Sequence, residues 1–275
     1  MNKALFAAAL AFGLIGAAPA PEVKLWRMDC GAYDLADLNS FSDSWAYSGQ
    51  SKILTVSCYL IRHGDQYMLW DTGLGAELIG HPGEPYPGMK LSMRESLVSQ
   101  LDRLGVKPEQ ISIIAISHNH ADHISQAGAF PKAKLLIGKN DWGQLTATPR
   151  HPYLEPERLK PWIEGGAPKE LVEGDKDIFG DGSVVMLATP GHTPDHHTLL
   201  VRLKSLGPLL LTRDLYHFAE QRERSGVPPF NFNRADTLAS FDRFNAIAKN
   251  LNATVIIQHE TADVAKLPAF PKGAD

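Results

Sequence analysis

The stretch Ile111-Ser112-Ile113-Ile114-Ala115-Ile116-Ser117-His118-Asn119-His120-Ala121-Asp122-His123 decides how this chain is read. An apolar run of strand character ends in a turn that carries three histidines and an aspartate within six residues. Imidazole and carboxylate side chains together suit Zn2+ or another borderline divalent cation. His118 and His120, two positions apart, can reach one side of a metal centre. Asp122 and His123 follow on the turn and can hold a second ion. Four ligand-type residues at this spacing are a specific signal, hard to reconcile with a merely solvated polar turn.

Partners for the cluster lie further along. Val184-Val185-Met186-Leu187-Ala188 runs into Thr189-Pro190-Gly191-His192-Thr193-Pro194. Leu209-Leu210-Leu211-Thr212-Arg213-Asp214 ends a second apolar strand with a carboxylate, and Val255-Ile256-Ile257-Gln258-His259 ends a third with an imidazole. Folds of α/β type collect chemistry at the carboxyl ends of strands. A single strand-end histidine is more often structural; the repetition argues for one shared site.

The order H-x-H-x-D-H, P-G-H-T-P, Asp, His resembles the metallo-β-lactamase superfamily over roughly residues 50 to 260. The resemblance implies an α/β fold, a four-layer αββα sandwich with a dinuclear metal site at one edge of its two sheets. It implies that His118, His120 and His192 bind one metal. Asp122, His123 and His259 then bind the other, and Asp214 bridges them. Asp71, in Leu69-Trp70-Asp71-Thr72-Gly73, matches the family's early D-T-G turn, which supports the site from behind the ligands. The implied cofactors are two divalent cations, with Zn2+ expected. A water between two such ions has its pKa lowered toward neutrality, so no serine or cysteine nucleophile is needed. The chain indeed has no G-x-S-x-G.

Among branches of that family, the chain most resembles the N-acyl-homoserine lactonases. His120 stands where flavodiiron-type oxygen reductases typically carry Glu, and β-lactamases proper lack the carboxylate matched by Asp214. Asp29-Cys30 followed by the strand Thr55 to Ile61, the helix Leu97 to Leu104 leading through Gly105 to Ile111, and Gly128-Ala129-Phe130-Pro131 add to the likeness. The implied activity is a metal-dependent hydrolysis that opens a lactone ring, with a small lactone as partner. Rival readings are a hydrolase of the same fold acting on another lactone, ester or β-lactam, and a non-catalytic metal-binding module.

One position departs from the pattern. Many of these lactonases carry a tyrosine three residues after the bridging Asp; here that place holds His217, with Tyr216 one residue earlier. An imidazole titrates near neutrality and can donate to a carbonyl oxygen or protonate a leaving alkoxide. The expected catalytic residues are therefore Asp122 and His217, with Tyr216 as a substitute. His196 and His197 read as supports of the ligands, and Arg213 as the partner of a surface acid. His63, His81 and His151 read as solvated loop residues. Aromatic segments around Phe41, Trp45 and Tyr47, Tyr86 and Met89, and Phe230 and Phe232 either line an apolar groove for an acyl chain or pack against the body of the protein.

With 275 residues, 44% of them hydrophobic, the chain can bury a large core, and residues 21–275 read as one domain. A net charge of −4 gives no electrostatic case for nucleic acid. Residues 1–20, a basic start and an apolar run ending in Ala18-Pro19-Ala20, read as a signal peptide. The expectation is an exported protein, periplasmic or secreted, with no stable membrane insertion after cleavage. Cys30 and Cys58, the two cysteines, fit either a disulfide or buried thiols. Residues 30–50 and 80–88 read as loops, and Ser92 as the cap of a helix through Leu97 and Leu101, with Glu95 completing a capping box. Helical patterns cover Asn140 to Leu145, Glu155 to Leu159 and Ala235 to Leu251. The sequence leaves the oligomeric state open.

Overall fold

In the computed structural model, which describes residues 21–149 and 151–275, two sheets stack face to face. The expected leader lies outside the described residues. The first sheet contains β1 (Val23–Leu35), β2 (Lys52–His63), β3 (Gln66–Trp70), β4 (Gly83–Tyr86), β5 (Met89–Ser92), β6 (Ile111–Ala115), β7 (Lys134–Gly138) and β8 (Lys169–Val172), in spatial order β4-β5-β1-β2-β3-β6-β7-β8. The second contains β9 (Lys176–Asp177), β10 (Val184–Ala188), β11 (His197–Leu203), β12 (Gly207–Leu211) and β13 (Thr254–Ile256), in order β13-β12-β11-β10-β9. The helices are α1 (Leu97–Arg103), α2 (Ala121–Ile124), α3 (Lys139–Leu145), α4 (Lys160–Ile163), α5 (Ala219–Arg224), α6 (Arg234–Leu251) and α7 (Thr261–Val264).

Alternation of side chains along each strand explains the layering. In β2, Cys58 and Leu60 enter the core beneath α1, α3 and α4, while Tyr59 and Ile61 face the other sheet. In β12, Leu209 and Leu211 face the first sheet, and Leu210 faces α6. The strands are apolar on both faces because each face is covered. Helices, sheet, sheet and helix thus form the αββα sandwich. Helix α6 is capped by Asn233, whose side-chain oxygen accepts from the N–H groups of Ala235 and Asp236, and it buries Phe241, Phe244 and Ala248.

Strand direction sets the site. β3 pairs parallel with β6, and β12 with β13. β10 and β12 both run antiparallel to β11, so they point the same way. Asp71 and His118 therefore follow strand ends at one edge of the first sheet, and His192, Asp214 and His259 follow strand ends of the second.

Several local expectations are corrected. Residues 30–35 are strand, not loop: a register shift between Asp29 and Ala32 breaks the alternation that marks a strand, yet β1 pairs with both β2 and β5. Residues 83–86 form an edge strand, where Pro85 is tolerated because one side needs no ladder bond. Ser96, not Ser92, caps α1; Ser92 is paired with Ala32 in β5. His63 is not solvated but stacks on Phe179 at 4.1 Å and pairs with Asp181 at 2.7 Å.

Cys30 and Cys58 form a disulfide joining β1 to β2 across a sequence separation of 28. It lies directly under Gly73, where a Cβ would collide with Cys30 and where φ is +69°. Closing a loop of this length restricts the unfolded chain by about 3–4 kcal/mol. Reduction with a small thiol is expected to lower the unfolding free energy in urea titrations by about 3–4 kcal/mol; no difference between oxidised and reduced protein contradicts this.

Candidate metal centre

Seven side chains converge at the shared edge. The donor atoms of His118, His120, His192 and Asp214 lie within 4.8 Å of one another, as do those of Asp122, His123, His259 and Asp214. Asp214 belongs to both groups and divides its oxygens between them. Its Oδ2 faces His192 Nε2 at 3.5 Å, and its Oδ1 faces His123 Nε2 and His259 Nε2, each at 3.2 Å. All the residues that the sequence placed in the ligand set are thus brought together.

Three of the imidazoles are oriented through their other nitrogen. His192 Nδ1 meets Asn231 Oδ1 at 2.9 Å, His123 Nδ1 meets Asp71 Oδ2 at 2.7 Å, and His259 Nδ1 meets the Thr55 carbonyl at 2.8 Å. These acceptors take the Nδ1–H and turn Nε2 of each of the three rings into the site. His120 presents Nδ1 instead, 3.1 Å from His118 Nε2 and 3.0 Å from His192 Nε2. Burial lowers the pKa of His118, His192 and, to about 4, His120, so all three are neutral ligands at pH 7. His123 behaves oppositely: burial lowers it, but the carboxylates of Asp122, Asp214 and Asp71 outweigh burial and raise it.

This donor set fits two divalent cations. Imidazole nitrogens of His118, His120 and His192 converge at 3.0–3.1 Å, and buried Asp214 Oδ1 has no hydrogen-bond donor. Imidazoles and carboxylates in two four-atom groups match the preferences of zinc-like ions.

Behind the ligands lies a fully buried ion pair. Arg213 Nε stands 2.9 Å from Asp71 Oδ2, and its guanidinium also donates to the carbonyls of Ser57 and Trp70 and to Gln258 Oε1. It rests over the rings of Tyr59 and Trp70. Asp71 in turn accepts from the Ser117 N–H and hydroxyl. Both residues hold left-handed backbone, φ 60° at Asp71 and 51° at Arg213, a conformation costly for side chains other than glycine. The surface acid expected for Arg213 is therefore replaced by a buried one, from the other sheet.

The two residues after Asp214 divide. His217 is buried, with Nε2 3.2 Å from Asp214 Oδ2 and Nδ1 3.1 Å from Gln221 Oε1. Tyr216 does not join the site. Its ring stacks on Phe241 of α6 and its hydroxyl bonds the Asn245 amide at 2.9 Å, on the opposite face of the second sheet. Adjacent residues of extended chain point to opposite sides, so His217 and Tyr216 cannot both enter. His196 and His197 bond Thr189 and the Gly174 carbonyl and touch no ligand carboxylate by hydrogen bond.

Tyr33 was missed. Its ring stands edge-on to His259 at 6.0 Å, and burial and the carboxylates of Asp122 and Asp214 raise the pKa of its hydroxyl. The β1 register shift hid the alternation that would have pointed it inward. Of the aromatics, Phe41 and Phe230 flank His217 at 4.9 and 5.9 Å, with Phe230 and Phe232 largely exposed. Tyr47 and Met89 pack instead in a local cluster with Phe218.

Residues 52–259 match the Metallo-beta-lactamase superfamily, and the chain belongs to that family. It is similar to the N-acyl homoserine lactonase AttM of Rhizobium radiobacter, 28% identical over 236 residues that cover 81% of this chain and 89% of the relative. It is similar also to the N-acyl homoserine lactonase AiiA of Bacillus thuringiensis subsp. kurstaki, 26% identical over 80% of this chain and 86% of the relative. An N-acyl homoserine lactone hydrolase solved with N-hexanoyl-L-homoserine at its catalytic metal centre shares the fold, with a TM-score of 0.78 at 24% identity over 92% of this chain and 99% of that one. The dizinc quorum-quenching lactonase AidC superposes with a TM-score of 0.67 at 16% identity, over 93% and 91%.

Truncating Arg213 leaves Asp71 charged, buried and unpaired, which typically costs about 3–5 kcal/mol. Arg213→Met is expected to lower unfolding free energy by that amount in urea titrations. A loss under about 1 kcal/mol, the level of a surface pair, would contradict a structural role for the buried pair.

Proposed function

We propose that this protein opens the lactone ring of N-acyl-homoserine lactones, using two divalent cations, Zn2+ foremost. The observation that carries the reading is the pair of four-donor groups sharing Asp214, with His217 on the same carboxylate. The names of relatives matched over more than four-fifths of their length support the substrate class. Two bound cations supply an acidified water and a polarised carbonyl.

The chain's own residues do the rest. His118, His120 and His192 would hold one ion and Asp122, His123 and His259 the other, with Asp214 within reach of both groups. Hydrolysis adds the water's hydroxyl to the lactone carbonyl carbon. The bond from that carbon to the ring oxygen breaks, and the alkoxide needs a proton. Gln221 fixes His217 through Nδ1, so a proton on Nε2 points at Asp214 and the reaction zone. His217 is the general acid in this reading. Phe41 and Phe230 offer the acyl chain an apolar wall beside His217. The disulfide supports the reading that the protein is exported to an oxidising compartment, periplasmic or extracellular.

Purified protein with zinc is expected to release protons from N-hexanoyl- and N-decanoyl-homoserine lactones, and a chelator should abolish the release. Bound metal with no release from either lactone would overturn the substrate assignment. In the same assay, His217→Ala is expected to lower kcat about 100-fold or more with metal content unchanged. Unchanged kcat would remove His217 from the mechanism.

A further inference from the structure

Between the two ligand-bearing loops lies a carboxylate that the chemistry above does not use. Asp141, in the first turn of α3, is completely buried and has no ion pair to a cation among the described residues. Burial pushes its carboxyl up to about 7 even though two groups donate to it. A buried acid without a counter-ion is costly, so its two donors dominate its local energetics.

Those donors both belong to the His192 loop. Asp141 Oδ2 accepts from the Thr193 hydroxyl at 2.8 Å, and Oδ1 accepts from the Asp195 N–H at 3.0 Å. The backbone carbonyl of Asp141 meanwhile accepts from the Asn119 amide at 3.2 Å, and Gln144 Oε1 accepts from the same amide at 2.9 Å. Asn119 sits between His118 and His120. The contact is reciprocal: Asp195 accepts from the N–H and side chain of Asn140, at 2.6 and 3.1 Å. Helix α3 belongs to the first sheet's side of the molecule and the His192 loop to the second. Other anchors of His192 lie on its own side: Asn231 at its ring, and the Phe232 and Asn233 N–H groups on the carbonyls of His192 and Gly191. A backbone bond from the His197 N–H to the Ser117 carbonyl, at 2.9 Å, runs beside the Asp141 clasp and joins the same two sides.

We propose that Asp141 is a positioning residue for the first metal group: its carboxylate fixes the His192 loop against the loop of His118 and His120, and so sets the geometry in which a cation is held. The inference rests on the dinuclear reading of the site. A network that only stabilised the fold would affect both groups alike; a positioning residue acts on the group containing His192. Supports of this kind typically change metal affinity 10- to 100-fold.

The test reads zinc affinity by competition with a chromophoric chelator, on the full chain. In a His259→Ala background the first group is the one complete tetrad; in a His192→Ala background none but the second is. Asp141→Ala is expected to weaken zinc binding 10- to 100-fold in the first background and to leave the second unchanged. Asp141→Asn should restore affinity, because an amide can accept from the Asp195 N–H and donate to the Thr193 oxygen. Equal loss in both backgrounds, no loss in the first, or an Asn variant as weak as Ala would overturn the proposal. Should Asp141→Ala fail to fold, Thr193→Val removes a single bond of the clasp and is expected to weaken the first group alone; no effect on that group overturns the proposal. Wild-type protein that binds fewer than two zinc ions overturns the dinuclear reading and this inference with it, whereas two ions in the wild type and unaltered affinity in Asp141→Ala removes this inference alone.

Discussion

The buried ion pair between Asp71 and Arg213 is the constraint on which the site depends. Asp71 ends a strand of the first sheet, and Arg213 precedes the shared carboxylate on the second. One oxygen of Asp71 meets Arg213, His123 Nδ1 and the Ser117 hydroxyl, and the other meets the Ser117 N–H. A single carboxylate therefore fixes an imidazole, the entry to the H-x-H turn and the backbone beside Asp214. Burial of two charges is rarely a net gain in stability over apolar packing. What it secures here is register between sheets, and the left-handed backbone at both residues is held in place by the same bonds.

Donor groups drawn from two sheets make metal geometry a consequence of how the sheets stack. Interiors pack densely, and small offsets between layers are not absorbed freely. The inter-sheet core sets the mean separation through Tyr59, Met68 and Trp70 against Leu199, Leu209 and Leu211. Apolar contacts alone, being non-directional, do not fix a nitrogen to within a few tenths of an ångström. The hydrogen bonds behind the rings of His123, His192 and His259 supply that precision. Gly191 contributes differently, since a Cβ there would strike the first turn of α6 at Thr237.

Much of the candidate site was legible because each member ends an apolar run: the run announces a strand, and the polar residue after it announces an edge. The four layers came from the family resemblance that those residues carry, and the alternation of strand and helix patterns agreed with it. The Arg213 partner was not, because pairing between strand ends of different sheets leaves no periodic trace. Nor was the division between Tyr216 and His217, which turns on one step of extended chain. Tyr33 was hidden by the irregular pairing of β1, and the true cap of α1 by an edge strand that takes up Ser92. Local patterns report burial and period; they do not report which distant groups meet.

The exchange of tyrosine for histidine after the shared carboxylate then has a physical consequence. A phenol and an imidazole differ in reach and in the direction in which the donor points: the hydroxyl lies at the far end of its ring, the nitrogen within it. Gln221 accepts from both the backbone N–H and Nδ1 of His217 and donates to the Phe41 carbonyl, so the ring has little freedom to turn. Phe41 stands edge-on to that ring at 4.9 Å and His259 lies parallel to it at 5.7 Å. A histidine so held is a donor of fixed direction, suited to deliver a proton where a ring oxygen leaves rather than to steady a carbonyl that must first approach a metal. In the proposed reaction, the position three residues beyond Asp214 would thereby decide which half of lactone opening the protein side chain assists.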